Sequence, residues 1–410
     1  MRVLIWTQYF WPENFHINAV ARSLQNKGVQ VTVLTGKPNY PAGMFFPGYK
    51  GPGIQRERYD GIEVIRIPIK ERGQGSTKGL VFNYLSFIIS GYLFAPFALR
   101  GKRFNVVFVY APSPLLQALP AFFVAWLKHA PTILWVQDIW PEALQATGFV
   151  NNKWLLGMVG VVVRYIYRFS NSILISSEGF RKSIERLGKN KGKIRFYPNS
   201  AEDTSTLGLA SGTPNLTVAN AVAQNFSIVF AGNIGTAQSC ETIIEAATLL
   251  QGTQDIKFYL VGDGRIAKSI TKNVTNNGLQ NVIMTGRVAP EDMASIYASA
   301  SVLLLSLRDE PALSATLPSK LQSYLAAGKP IIACSNGESA AVVTEANAGL
   351  TCPAGDAKAL ACAVLRLYEM TPKNRAYYGI NGHKYFMTHY RLPDRVAELV
   401  THFEDVVAQH

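Results

Sequence analysis

Short, uninterrupted apolar runs alternate with longer mixed stretches along most of the chain. Val3–Trp6 and Val29–Leu34 read as strands on either side of a helix over Ile17–Leu24, which Gly28 ends. Val106–Tyr110, Thr132–Val136 and Ile173–Ile175 continue the first series. A second series begins at Ser227, where SIVFAGNIG runs into a helix from Glu241, followed by strands in Lys257–Gly264 and Asn281–Val288. A helix over Glu291–Ala300 then leads to the strand Val302–Leu305, a loop, a short helix and a last strand reaching Ala333. Strands that are apolar throughout suit a sheet covered on both faces, and their alternation with helices predicts parallel, doubly wound α/β units. A chain of 410 residues exceeds what one core usually supports, so two domains are expected, 1–200 and 201–390, with the polar stretch Asn199–Ala223 as linker.

Two segments depart from this rhythm. Gly79–Leu99 is about twenty mostly apolar residues, bounded by Lys78 and by Arg100, Lys102 and Arg103, and is long enough to raise the question of a membrane span. Asn83, Ser86, Ser90, Gly91 and Pro96 dilute it, and a span would put two halves of one sheet on opposite sides of a bilayer, so a core helix or a membrane-resting helix is expected. Lys153–Arg168 is a second apolar helix, followed by the basic run Arg181–Arg195. Charge sharpens the point. Residues 1–200 carry 25 Lys and Arg against 9 Asp and Glu, whereas residues 201–410 carry 15 against 18. The basic excess lies wholly in the first half and beside apolar stretches, which fits an anionic membrane surface better than nucleic acid, for which no motif is present. Cys240, Cys334, Cys352 and Cys362 have no metal-ligand spacing and read as reduced residues, and MRVLIWTQYF reads as a strand rather than an export leader. The expected location is cytoplasmic, peripheral to the inner face of the plasma membrane.

Candidate chemistry concentrates in Ser301–Ala333. Pro318 suits a first helical turn, Thr316 or Ser314 a cap, and Gly328 with Pro330 a stop, giving a helix of about ten residues. Such a helix, opening after a strand, aims unpaired N–H groups at whatever lies beyond the sheet's carboxyl edge. An anion is the natural occupant, because Ser319, Lys320 and Arg308 add a hydroxyl and two cations, and a Lys so early in a helix opposes its dipole. A strand, loop and helix with one Lys is equally ordinary in any α/β domain. Gly232, Gly235 and Gly264 follow strands where backbone N–H groups approach a diphosphate. In the first half, Asp138 follows a strand, a position for chemistry or for capping a helix ahead of Pro141. The loop Tyr9–Phe15 enters the same crevice without a dinucleotide fingerprint, and the Pro38–Gly53 loop is suited either to lining a substrate cleft or to plain aromatic packing.

FAGNIG, VGDG, NVIMTGRV, IYASAS, PSKLQSYLAAGKPIIA and GESAAVVTEANAGL, in that order, resemble the donor domain of GT-B glycosyltransferases of family 4. FWPENF, PNYPAG, NYLSF and WVQDIWPEALQATG resemble a bacterial subgroup of colanic acid, O-antigen and capsule enzymes that includes N-acetyl-fucosaminyl transferases. The resemblance covers essentially the whole chain. It implies two Rossmann-like domains facing a cleft, with Arg391–Val407 as a helix crossing back to the first domain. It implies a retaining transfer from a UDP-sugar to a lipid-linked glycan acceptor; no metal cluster or DxD-like signature sits at a strand end, so a metal-independent reaction without a cofactor is expected, and no nucleic-acid partner. By position, Gly232, Asn233 and Gly235 would flank the diphosphate, Lys320 would neutralise it, and Gly264 would lie near the base. The acceptor side would draw on Asn14, His16, Gln137 and Asp138, with Asp138 and Lys320 as the catalytic pair. This sequence also departs from the family. Ala315 and Ser323 stand where many members have paired glutamates, Gln137 where many have a histidine, and Asn233 and Gln238 where Arg and Lys are common. Ser323 then offers a weaker ribose contact, and Arg308 and Lys320 carry more of the phosphate charge. A sugar-nucleotide epimerase and a catalytically degenerate binding partner are the competing readings.

Overall fold

The computed structural model describes all residues except 74–76, 147–151, 189–190 and 204–215. The end of WVQDIWPEALQATG, Lys189 and Asn190 of the basic run, and residues 204–215 of the expected linker therefore lie outside the described residues. The chain divides into two compact units, Met1–Pro198 with Pro393–His410, and Asn199–Leu392.

In the first unit β1 (Arg2–Trp6), α1 (His16–Asn26), β2 (Gln30–Gly36), β3 (Gln55–Tyr59) and β4 (Ile62–Ile67) precede α2 (Thr77–Ala98). Next come β5 (Val106–Ala111), α3 (Ala118–Lys128), β6 (Thr132–Val136), α4 (Glu142–Ala146), α5 (Lys153–Phe169), β7 (Ser172–Ile175), α6 (Arg181–Gly188) and β8 (Ile194–Phe196). The sheet order is β3-β4-β2-β1-β5-β6-β7-β8. All neighbouring pairs are parallel except the β3–β4 hairpin, whose polar, alternating strand β3 escaped the apolar pattern. Strand order reverses between β1 and β5, so the crevice of this unit opens beyond Trp6 and Ala111.

The second unit holds α7 (Thr217–Ala223), β9 (Phe226–Ala231), α8 (Cys240–Leu249), β10 (Ile256–Val261), α9 (Ala267–Asn276), β11 (Val282–Gly286) and α10 (Met293–Ser299). It continues through β12 (Val302–Ser306), α11 (Pro311–Ser314), α12 (Ser319–Ala326), β13 (Ile331–Cys334), α13 (Glu338–Glu345), β14 (Gly349–Cys352), α14 (Ala357–Glu369) and α15 (Pro372–His389). Its six strands are all parallel in the order β11-β10-β9-β12-β13-β14, with the reversal between β9 and β12. Phe230, Phe258 and Leu260 pack under α8 and α14 on one face, and Val229, Tyr259, Leu303 and Leu305 face Leu321, Tyr324 and Leu325 on the other. That double burial is why these strands lack a polar face.

Helix α7 is a correction to the linker reading: Ala219 and Val222 are buried against β9, so this stretch of the presumed linker is part of the core. The last helix, α16 (Leu392–Ala408), belongs to the first unit. There Phe403 meets Phe108 with ring centroids 5.2 Å apart, and His402 shares a 2.9 Å hydrogen bond with Ser172.

Helix α2 is long and apolar enough to cross a membrane by length and composition, yet one side of it is docked on the sheet. Phe87 lies edge-on to Trp6, and Gly91 sits where a Cβ would come within 2.8 Å of Pro120. Its other side is bare: Phe82, Leu85, Ile89, Leu93 and Phe97 are exposed, Phe97 to 73%. Trp126 on α3 and Trp154, Met158, Val161 and Tyr165 on α5 are exposed as well, Trp154 to 80%.

Candidate functional site

In the second unit, Gly232 and Gly262 are the first residues beyond β9 and β10 and both have positive φ. The Gly232 N–H donates to Val261 O at 2.9 Å, and a Cβ on Gly262 would sit 1.9 Å from Gly232 O. Only glycine permits two crossing turns this close. Beyond them Ile234 N donates to Asp263 O at 3.0 Å, and Gly264 packs on Ile234 and the Asn233 side chain, so these turns form one tight shelf.

Over that shelf lies α12. Pro318, with the extended backbone of a cap, is its N-cap and not part of its first turn, and because proline carries no side-chain acceptor no side chain caps the helix. Ser314 closes α11 instead, and the Thr316 hydroxyl donates back to Ala312 O at 2.8 Å. The helix has eight residues rather than about ten. Its position is set by Tyr324, whose buried hydroxyl accepts from Ala231 N at 2.9 Å, at the last residue of β9. Ser319 is exposed at the first helical position, Lys320 follows half-buried, and Ser323 lies one turn on. Lys320 Nζ comes closest to the shelf: it is 3.2 Å from where a Gly232 Cβ would be, 4.3 Å from the centre of the Phe230 ring, and donates to Gln238 Oε1 at 2.5 Å. Burial pulls its pKa down to about 8, against which the Cys240 sulfur acts in the opposite sense. Arg308 is exposed, and its N–H donates to Ala237 O at 2.9 Å, tying the loop after β12 to the turn after β9.

Gly232, Asn233, Gly264, Gln238 and Lys320 are therefore brought together at the point where strand order reverses. Ser319, Ser323 and Arg308 stand on the elements bordering it. The arrangement offers the first-turn N–H groups of α12 and one poorly solvated ammonium that has no carboxylate partner among the described residues, an environment suited to an anionic diphosphate. Also among the described residues, no three His, Cys, Asp or Glu side chains gather as metal ligands.

The equivalent edge of the first unit is built differently. Asp138 follows β6, and burial raises its pKa to about 7. The hydroxyls of Tyr84 and Tyr110 are close enough to feel its charge, and Tyr84 also feels Arg72. Gln137 precedes Asp138 with partial exposure, and Asn14 is exposed. His16 opens α1 with its ring 5.7 Å from that of Trp135, and burial pulls its pKa down to about 4, so it is neutral near pH 7.

Sequence reasoning passed over Glu13. This buried carboxylate accepts from Asn39 N and Tyr40 N at 2.8 Å and from Phe10 N at 3.3 Å, joining the Tyr9–Phe15 and Pro38–Gly53 loops. Tyr9, Phe15 and Tyr40 cluster around it with centroids 4.9–5.9 Å apart. Desolvation raises the Glu13 pKa to about 7 against the lowering effect of those N–H groups. Its signal was a lone acid between aromatic residues. Asn83 was read only as a polar interruption of an apolar run, but it accepts from Gln8 Nε2 at 2.7 Å and donates to Lys70 O at 2.6 Å, anchoring α2.

Two parallel, doubly wound units, each with its crevice at a strand-order reversal and one lined by a glycine shelf under a lysine, define a GT-B glycosyltransferase that uses a nucleotide sugar. Residues 225–370 match the family model described as glycosyl transferases group 1, and residues 14–200 match the glycosyl transferase 4-like domain. The chain belongs to this family of glycosyltransferases. It is similar to WcaI of Escherichia coli (strain K12), a glycosyl transferase named for colanic acid biosynthesis, with 26% identity over 349 residues, covering 80% of this chain and 82% of that protein. Among solved structures, sucrose-phosphate synthase from Thermosynechococcus elongatus superposes with a TM-score of 0.75 at 16% identity, covering 100% of both chains. HepE of Anabaena, solved with UDP, gives 0.72 at 13% identity, covering 99% of this chain and 100% of that one. At these identities the structural likeness speaks for the fold.

Proposed function

We propose that the chain is a retaining glycosyltransferase that moves a sugar, an N-acetylated deoxysugar or hexosamine, from a UDP-sugar to a polyprenyl-diphosphate-linked glycan in the assembly of a bacterial surface polysaccharide such as O-antigen or capsule. The observation that carries the donor half is Lys320 held over the Gly232–Gly262 shelf. As the bond from the anomeric carbon to the diphosphate oxygen breaks, negative charge grows on the leaving UDP. An ammonium already in place, with preformed N–H groups, stabilises that charge more than it stabilises the intact donor. Arg308 and Ser319 border the same site, and Gln238 holds Lys320 in position until the phosphate takes over as its partner. No metal and no redox cofactor enters this scheme. The resemblance to WcaI favours a surface-polysaccharide acceptor.

Asp138, beside Tyr84, receives and orients the acceptor hydroxyl. A lipid-linked acceptor is favoured by the bare apolar sides of α2 and α5 and by the basic excess of residues 1–200. The same features favour peripheral attachment to the anionic inner face of the plasma membrane. The purified chain is to be screened for thermal stabilisation by UDP, GDP, ADP and NAD, and then supplied with UDP-N-acetyl sugars, with and without EDTA. Selective stabilisation by UDP and EDTA-insensitive transfer to a lipid-linked acceptor are expected. Silence with every nucleotide would sink the donor assignment, and donor conversion without any acceptor would point to an epimerase.

A further inference from the structure

Helix α2 has two different sides, and they meet at its amino-terminal end. Asn83 and Tyr84 turn inward, Asn83 fully buried in the amide network and Tyr84 within electrostatic reach of Asp138, while Phe82 and Leu85, their immediate neighbours, are exposed. The strand-end segment Lys70–Arg72 runs along this border. Asn83 Nδ2 donates to Lys70 O at 2.6 Å and Lys70 N donates to Ser86 Oγ at 2.8 Å, so its backbone is pinned to α2. Its two cations rest on different aromatic rings. Lys70 Nζ lies 5.3 Å from the centre of the Phe82 ring, on the apolar side. The Arg72 guanidinium lies 5.1 Å from the centre of Tyr40, on the polar side, within electrostatic reach of Tyr84 and Tyr9. Neither is in an ion pair with a carboxylate among the described residues, and Glu71 between them is turned to accept from Phe45 N at 2.9 Å. Two unneutralised cations on aromatic faces are thus strung from the exposed apolar ridge to the Asp138 cluster.

We propose that Lys70 and Arg72 bind the diphosphate of an isoprenoid-diphosphate acceptor, with its hydrocarbon chain along Phe82, Leu85 and Ile89 and its sugar delivered to Asp138. The geometry matches a ligand that is apolar, then doubly anionic, then polar along its length. An ordinary anionic phospholipid offers a tail and a charge but nothing to reach Tyr84. This inference rests on the lipid-linked acceptor reading above, and it adds the subsite that selects for the diphosphate.

The test is flotation of the full chain with phosphatidylcholine vesicles carrying a long-chain polyprenyl diphosphate, compared with vesicles of equal surface charge made with phosphatidylglycerol. Wild type is expected to bind the diphosphate vesicles about tenfold more tightly, the scale of one or two charge-assisted hydrogen bonds. Lys70→Gln with Arg72→Gln should erase that preference. Arg100→Gln with Arg103→Gln, which removes the same charge beyond the other end of α2, should weaken binding to both vesicles and keep the ratio. UDP-induced thermal stabilisation reports that each variant is folded, and Lys70→Gln alone, at an exposed side chain, should already lower the ratio. If the double variant at positions 70 and 72 keeps the wild-type preference, the subsite is wrong while the acceptor reading stands. If wild type itself shows no preference for the diphosphate, the subsite is likewise wrong, and it is the absence of transfer to a lipid-linked acceptor that would overturn the acceptor reading.

Discussion

The two carboxyl edges of this protein are built from different materials on the same scaffold. In the second unit the edge is made of backbone: Gly232 and Gly262 cross at a distance no side chain tolerates, and one ammonium is suspended above them. In the first unit the edge is made of side chains: Tyr9, Phe15, Tyr40, Tyr84 and Tyr110 with Glu13, Asn39 and Asn83 knotting the loops together. Charge follows the same division, since the basic excess lies entirely in residues 1–200. A phosphate is the same in every nucleotide, so main-chain N–H groups and a cation suffice to hold it. A glycan acceptor varies, and its recognition calls for adaptable hydroxyl, amide and aromatic surfaces.

The comparison breaks most directly at Lys320. Lys320→Ala should lower kcat by about 10²–10³ with the melting temperature unchanged, the scale for removing one donor to a developing anion. Near-normal turnover in steady-state assays would remove Lys320 from the donor site. Gly262→Ala should cost the second unit about 2–5 kcal/mol, from overlap with Gly232 O and a backbone at φ +141°. Urea titration would read this, and a wild-type midpoint would show that the shelf is softer than drawn.

On the acceptor side, Asp138→Asn should reduce turnover about a hundredfold while UDP binding by calorimetry is unchanged. A loss of UDP binding would mean that the division between the two edges is false. The pH profile sharpens the same contrast. Asp138 is a carboxylate only above about 7, and Lys320 is a cation only below about 8. The profile of kcat/KM should therefore rise through the first value and fall through the second. Asp138→Asn should flatten the acid limb and Lys320→Arg should push the alkaline limb upward. The smallest effect on folding is expected at the apolar ridge, where Phe82→Ser and Phe97→Ser should change stability by about 0.5 kcal/mol or less yet weaken binding to anionic vesicles. Unchanged vesicle flotation would assign the ridge another role.

Much of this was legible in residue order alone. Apolar runs of strand length alternating with helical patterns fixed the class of fold, because burying a strand on both faces leaves no room for polar alternation. The glycines after β9 and β10 and the lysine after Pro318 stood out for the same kind of local reason: turns that close demand Gly, and an ammonium in a first helical turn opposes the helix dipole. What residue order could not carry was the pairing of distant groups. Gln238 meets Lys320 across 82 positions, and Tyr324 reaches back 93 positions to Ala231. Glu13 became a knot only when the Pro38–Gly53 loop folded over it, and the residues from Thr217, read as linker, became helix α7 because β9 offered Ala219 and Val222 a surface to cover. Local propensity and period act over a few residues and are written in sequence; a hydrogen bond between distant loops, or the burial that moves a carboxyl or an ammonium toward neutrality, exists only after the chain has packed.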